Sequence, residues 1–183
     1  MKVRGFALKS TCQYIRKHYG ELMMIQIINR IPADLRHYFL DEEFNALKWY
    51  PYDLYETLNR QIVERIGGGD YTILYDCART GAKEYFDSTL GFFIKDRTPM
   101  NVVRNVNNVF SNYFEIGKIE KVGEKDGHHY FELKNIDNKQ DLFERVRGFL
   151  KGMFEITKAK FSHVSYLYDF FHRKVTFDLY WEG

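Results

Sequence analysis

The sequence is poor in cysteine and proline, has little net charge and lacks long apolar runs. It contains two cysteines and three prolines, and 27 Lys and Arg against 25 Asp and Glu give a formal net charge of +2. Two cysteines are too few for a disulfide scaffold, and no stretch approaches the about 18 consecutive apolar residues of a membrane-spanning helix. The N-terminus lacks the apolar core and cleavage site of a signal peptide. We therefore expect a cytoplasmic protein without a transmembrane segment, in which the thiols of Cys12 and Cys77 are reduced.

Aromatic residues, in contrast, are abundant. The 183 residues include 2 Trp, 14 Tyr and 16 Phe, and 45% of the chain is hydrophobic, which excludes a disordered protein. A chain of 22.0 kDa is large enough to bury about 70% of its extended surface in one core. Because no linker rich in Pro, Gly or Ser divides the chain and no repeat is present, residues 1–183 are predicted to form a single domain.

In the first half of the chain, apolar residues recur at the spacing of α-helices. Apolar residues share one helix face from Leu8 to Tyr19, where Gly20 can end the helix. The triple glycine at 67–69 is interpreted as a turn between two helices, because it lacks the Gly-Lys-Ser/Thr ending of a phosphate-binding loop. Further helices are predicted from Leu22 to Ile31, from Pro32, from Tyr52 to Ile66, from Asp70 to Phe86 and from Thr98 to Phe114.

The second half changes to the period of strands. Residues 116–122 and 129–133 flank an Asp-Gly pair, which is a hairpin signal. Helical spacing returns from Leu142 to Phe154, and residues 175–181 then alternate as a strand whose hairpin partner is 160–168. The fold class is therefore α+β: N-terminal helices packed on an antiparallel sheet of two hairpins, with a long helix between the hairpins.

Five short motifs, spread over nearly the whole chain, resemble one uncharacterised bacterial family, rich in myxobacterial members. The motifs are Gly5-Phe6-Ala7-Leu8 with Tyr19-Gly20-Glu21, Ile31-Pro32-Ala33-Asp34-Leu35-Arg36, Trp49-Tyr50-Pro51-Tyr52, Gly148-Phe149-Leu150-Lys151-Gly152 and Val175-Thr176-Phe177-Asp178-Leu179-Tyr180-Trp181. That family belongs to the superfamily that unites the V4R domain, heme-nitric-oxide sensors and the Bet3 subunits of Golgi-transport tethers. The resemblance implies a V4R/Bet3-like ligand-binding fold, whose members bind small aromatic effectors, heme or an acyl chain in an apolar cavity.

The functional residues of these relatives do not carry over. V4R sensors often place zinc-binding cysteines in the last hairpin, but residues 160–183 contain no cysteine. Heme sensors of the fold use a Tyr-x-Ser-x-Arg element and an axial histidine, and this chain has neither that element nor a histidine between His37 and His128. Neither Cys12 nor Cys77 aligns with the acyl-carrying cysteine of Bet3. We expect no cofactor.

The remaining polar residues form no recognisable catalytic or metal-binding set. Adjacent His128 and His129 must point to opposite faces of a strand, and His163 could face Asp178 across the last hairpin, which falls short of a metal site. No Ser/His/Asp arrangement or carboxylate pair stands out, so we expect that the protein is not an enzyme.

Basic residues outnumber acids near the predicted long helix. Between Arg145 and Lys160 the local charge is +4, which is interpreted as the solvated side of an amphipathic helix, with contact to an acidic partner or membrane surface as the alternative. Nucleic-acid binding is not expected, because a broad basic stripe with interleaved aromatic residues is missing.

The aromatic clusters are the feature most indicative of function. Rings at Trp49–Tyr52, Phe92–Phe93 and Phe170–Phe171 lie at ends of predicted elements, where one buried face cannot absorb them all. We expect a non-enzymatic sensory module that binds a small apolar or aromatic ligand in an aromatic-lined cavity, as a homodimer. The alternative is an interaction or scaffold subunit whose cavity has collapsed. The candidate pocket or interface residues are Trp49, Tyr50, Tyr52, Tyr75, Tyr85, Phe92, Phe93, Phe149 and Phe154.

Overall fold

Helices form the first part of the chain and strands dominate the last part. The computed structural model describes residues 1–40, 44–87, 97–157 and 159–182, apart from the side chains of residues 85 and 87. The α+β fold class predicted from the periods is confirmed. The elements are β1 (Lys2–Arg4), α1 (Gly5–Arg30), α2 (Ala33–Leu40), β2 (Trp49–Pro51), α3 (Tyr52–Arg65), α4 (Thr72–Asp87), α5 (Pro99–Tyr113), β3 (Ile119–Lys125), β4 (His128–Lys134), α6 (Gln140–Glu155), β5 (Phe161–Asp169) and β6 (Lys174–Glu182).

Two of the helix boundaries follow directly from local chemistry. Gly20 has φ 83° and ψ 165°, so it divides α1 into two helical segments at the predicted position. Helix α5 begins after Thr98, whose side-chain oxygen accepts a hydrogen bond from the backbone N–H of Asn101, and Pro99 occupies the first turn.

The two predicted hairpins join into one antiparallel sheet. The strand order is β3-β4-β6-β5, so β4 and β6 are the inner strands and β3 and β5 are the edges. Alternation places Phe131, Phe177 and Leu179 on the covered face. The predicted break at Trp49–Tyr52 contains a short strand that was not predicted: β2 pairs with β1 in a small second sheet.

Helix α6 lies between the sheet and helix α4. A Cβ built on Gly148 would lie 2.1 Å from the backbone oxygen of Tyr75, and one on Gly152 would lie 2.4 Å from that of Arg79. The two glycines, four residues apart on one face of α6, thus allow the α4 and α6 backbones to touch. Within the described ranges, no helix is both long enough and apolar enough to span a bilayer.

Candidate ligand site

A buried arginine lies at the centre of the helical layer. Arg145 is 2% exposed, and its Nη2 and Nε donate hydrogen bonds of 2.7 and 3.2 Å to Oδ1 of Asn59. Its guanidinium carbon lies 5.1 Å from the ring centroid of Tyr55. The side-chain amide of Asn59 in turn donates to a carboxylate oxygen of Asp141 at 3.1 Å. Helices α3 and α6 are therefore tied together around one guanidinium.

The partners of this guanidinium are electrically neutral. Among the residues that the structure describes, Arg145 forms no ion pair, and Asp141 is linked to it through the amide of Asn59. Removing a charged group from water costs several kcal/mol unless an opposite charge or full hydrogen bonding compensates. The site thus provides a buried positive charge that an anionic group would stabilise.

Two small voids lie beside Phe149, and the larger one adjoins Arg145. One has a volume of about 20 Å³ and the other about 10 Å³, and Tyr113, Phe114 and Phe149 line both. The larger void is bounded on its other sides by Arg145 and Tyr55 and by small residues of α1 and α4. Those small residues are Ala7, Ser10, Thr11, Ala78, Gly81 and Ala82.

Aromatic rings fill most of the space around the voids. The ring centroids of Tyr113 and Phe149 are 4.6 Å apart, and those of Phe110 and Phe114 are 5.3 Å apart. Pockets for small ligands usually measure about 300–1,000 Å³, far more than either void. Neither void is therefore the expected open, aromatic-lined cavity, which is not confirmed, and much of the aromatic excess around the voids is used in packing.

Of the predicted site residues that the structure describes, Phe149 lines these voids. Three others lie near the β1–β2 sheet: Trp49 is covered by the guanidinium of Arg4 at 4.0 Å, Tyr50 packs edge-on against Phe44, and Tyr52 is buried at the start of α3. The structure does not bring this group together with Phe149.

The other predicted residues are spread over the molecule. Tyr75 lies beneath the guanidinium of Arg147 at 4.4 Å, and Phe154 stacks on Trp181 with centroids 5.3 Å apart. Tyr85 belongs to α4, but its side chain is not among the described parts of the structure. Phe92 and Phe93 lie outside the described residues.

Sequence reasoning missed the central role of Arg145. The interpretation of the basic residues after 145 as one solvated helix face is wrong for this residue, which is buried. The spacing contained a signal, because Arg145 follows Leu142 by three residues and precedes Phe149 by four, and so shares their face. Two further cations of the cluster are engaged locally: Arg147 pairs with Glu144 at 2.7 Å, and Lys151 donates to the carbonyl oxygen of Ser162 at 2.6 Å.

Both cysteines lie near this centre with their thiols protonated. Burial raises the pKa of Cys12 to about 12 and that of Cys77 to about 11, although the charge of Arg145 acts in the opposite direction on both. Burial likewise raises the pKa of the Tyr55 hydroxyl. Nucleophilic chemistry by these groups at neutral pH is therefore disfavoured.

The histidines are distributed over both faces of the sheet. His129 is buried and stacks on Trp181 at 4.4 Å, whereas Nδ1 of His128 lies 2.8 Å from a carboxylate oxygen of Asp178 on the outer face. The expectation that His163 faces Asp178 is wrong, because the register pairs His163 with Tyr180. Among the described residues, no three His, Cys, Asp or Glu side chains lie close enough to hold a metal ion.

Comparison with solved structures shows which known fold this architecture matches. The Fe(II) unliganded H-NOX protein from K. algicida is 12% identical, with a TM-score of 0.75 over 98% of this chain and 97% of that chain. A mutant H-NOX protein from S. oneidensis is 10% identical, with a TM-score of 0.73 over 98% and 96% of the two chains. No protein-family model and no curated protein sequence matches.

The chain has the fold of the H-NOX domains. The expected likeness in fold to the heme-nitric-oxide sensors is confirmed, and identities of 10–12% show the fold alone. The V4R/Bet3-like form of the fold stays a prediction.

The described interior does not fit the heme of the H-NOX proteins whose fold it shares. The α4 and α6 backbones touch at Gly148, and the voids beside them measure about 20 and 10 Å³. None of the residues that line those voids is a histidine, and residues 88–96 contain none either. The described residues around these two voids thus supply neither the space nor an imidazole ligand for a porphyrin.

Proposed function

We propose that this protein is a non-enzymatic, cytoplasmic sensory module that has the H-NOX fold but binds a small organic anion in place of heme. The observation that carries the proposal is the buried guanidinium of Arg145, which has neutral partners and borders a void. The ligand has a compact aromatic or apolar body, for the ring-lined side of the void, and a carboxylate or similar acceptor for Arg145.

The void must enlarge for such a ligand to enter. Phe149 is only partly buried, so turning its ring outward exposes less additional apolar surface than moving a fully buried ring would. The opposite wall consists of small side chains, which leave room for the body of a ligand once Phe149 has turned. Binding would then shift α6, and α6 packs directly on both α4 and β5, so the sheet would report the ligand.

Thermal unfolding and calorimetric titration with benzoate, phenylacetate and indole-3-acetate test the proposal, with benzyl alcohol as the uncharged control. At least one anion is expected to raise the unfolding temperature of the wild-type protein and to bind at least tenfold more weakly to Arg145→Met. Benzyl alcohol is expected to bind weakly to both. The proposal is wrong if all three anions leave the wild-type protein unchanged and native mass spectrometry of the purified protein shows no bound molecule.

A protein-interaction or scaffold subunit is the second candidate. The observation in its favour is that the voids are small while large apolar side chains are exposed at one hairpin. Under this alternative the interior stays closed, and the Arg145→Met variant keeps every interaction of the wild-type protein. The expected homodimer is compatible with both candidates.

A further inference from the structure

The two edges of the main sheet differ in their protection against pairing. Edge strand β3 carries two Glu and two Lys, and its register shifts between Lys121 and Gly123. Charges, especially Lys, and bulges are the devices that keep an edge strand from pairing with another chain. At β3 the sheet is therefore closed to further strands.

Edge strand β5 has almost none of these devices. Its nine residues include one charged side chain, that of Asp169 at the end, and pair with β6 without a break in register. Lys151 covers the carbonyl oxygen of Ser162. Within the described ranges, the backbone from 164 to 168 has no hydrogen-bond partner other than β6. A long, regular and nearly uncharged edge of this kind is a template for an added strand.

Large exposed apolar side chains accompany this edge. Phe161 and Leu167 of β5 are 51% and 74% exposed, and Phe170 and Phe171 in the turn to β6 are 75% and 93% exposed. Phe161 and Leu167 project from the solvent face of the sheet, and the two turn rings pack against each other with centroids 6.4 Å apart. The apolar surface is thus placed at both ends of one strand.

We propose that β5 pairs antiparallel with β5 of a second copy of this chain, which joins the two sheets into one of eight strands. A twofold axis at Ser165 lies within the open stretch 164–168 and places Phe161 opposite Asp169 of the partner subunit. Phe161 then lies beside the turn that carries the partner's Phe170 and the partner's Phe171. The same contact forms twice, once at each end of the paired strands.

The size of the surface agrees with this occupant. A fully buried aromatic side chain removes about 150–250 Å² from water, so the exposed parts of the three rings, together with Leu167, offer about 500 Å² of apolar area. A standard interface takes about 800 Å² from each partner, and the backbone ladder and the side chains of the turn provide the remainder. Self-pairing also satisfies the outward backbone groups of β5, which a purely apolar partner leaves unpaired.

Sedimentation equilibrium over a range of concentrations measures the assembly. The wild-type protein is expected at twice 22.0 kDa at micromolar concentration. Ser165→Lys places two ammonium groups across the twofold axis and is expected to weaken the dimer at least tenfold. Within each monomer, the carboxylate of the neighbouring Asp178 on β6 can balance the added charge, so the fold is expected to remain stable. The matched control is Val122→Lys on β3, which adds the same charge to the other edge and leaves the mass unchanged. A wild-type mass of 22.0 kDa at about 200 μM, far above a micromolar dissociation constant, overturns the proposal.

A cross-link tests the register. Cα atoms opposite each other in an antiparallel pair are about 4.5–5.5 Å apart, within the range of a disulfide. In Ser165→Cys, the two introduced thiols are oxidised by glutathione disulfide, which is reduced to two molecules of glutathione, and a covalent dimer forms. Val122→Cys is expected to stay monomeric on the same gel. Cross-linking of the two variants at equal rates contradicts the assigned edge. Neither measurement depends on anion binding, so this inference and the proposed function can fail separately.

Discussion

Asn59 and Arg145, which are 86 residues apart, are joined by two hydrogen bonds from one guanidinium to one amide oxygen. Asn59 is fully buried, and its amide also donates to Asp141, so a single side chain orients the buried cation and links it to a carboxylate. The stability of the helical layer therefore depends on this pair more than on either residue alone.

Replacing one member of the pair should cost more than replacing both. Asn59→Leu leaves a buried guanidinium without its acceptor, and we expect a loss of about 3–5 kcal/mol in the free energy of unfolding. Asn59→Leu combined with Arg145→Met should recover most of that loss, because two apolar side chains then meet. Urea denaturation measures Asn59→Leu, Arg145→Met and the double variant. Arg104→Met, at an exposed position, is the control and should change stability by less than about 0.5 kcal/mol. Additive losses in the double variant would show that the two residues act independently.

The contact between α4 and α6 leads to a second prediction. In Gly148→Ala, the added Cβ meets the backbone of Tyr75, which cannot move away by a rotamer change, so a loss of about 3 kcal/mol is expected. In Gly81→Ala, the added Cβ meets the side-chain oxygen of Ser10 at 3.1 Å, and this side chain can turn. The same substitution there should cost less than about 1 kcal/mol, since alanine favours the helix. Chemical denaturation distinguishes the two, and equal losses would contradict the backbone contact.

The buried thiols make the protein sensitive to alkaline pH. The pKa values of Cys12 and Cys77 rise from 9.0 to about 12 and about 11, so the folded state holds both protons more tightly than the unfolded state does. Their effect on stability is absent below about pH 9, and stability falls as the pH rises from 9 towards 11. The free energy of unfolding, measured from pH 7 to 10.5, should decline above pH 9. A variant with Cys12→Ala and Cys77→Ala should decline less steeply, and an unchanged slope would refute the assignment.

Heme uptake provides a direct comparison with the H-NOX proteins. Titration of the purified chain with hemin is expected to show no saturable Soret band at one equivalent, because the described interior lacks both the space and the imidazole. An H-NOX protein stripped of its heme is the positive control. Stoichiometric uptake that survives gel filtration would show that the interior opens far wider than Phe149 alone allows.

Most helices and strands could be predicted from the sequence, because the spacing of apolar residues within a long element reflects its local structure. The alternation from Val175 to Trp181 and the Asp-Gly turn before His128 both predict strands that the structure contains. The short strand β2 could not be predicted in the same way. This strand forms because it pairs with Lys2–Arg4, which is distant in the sequence. Three residues are also too few to show an alternating pattern.

The candidate site was less predictable for a related reason. The expected position of His163 opposite Asp178 depends on the length of the turn, and a turn two residues longer at 170–173 brings Tyr180 there instead. A shift of two residues keeps every side chain on its face and so leaves no trace in the hydrophobic pattern. Arg145, in turn, is a charged residue on an apolar face, and its burial is explained by contacts with Asn59 and Tyr55, which are distant in the sequence.

The unequal edges of the sheet also limit how large an assembly can grow. Once β5 has been used by a partner, the outer strand at each end of the joined sheet is β3, with its alternating charges and its bulge. A third copy finds no bare strand on which to add, so association stops at two chains instead of continuing into a fibre. The charged residues of β3 thus limit the assembly to two chains, although β3 itself takes no part in the dimer contact.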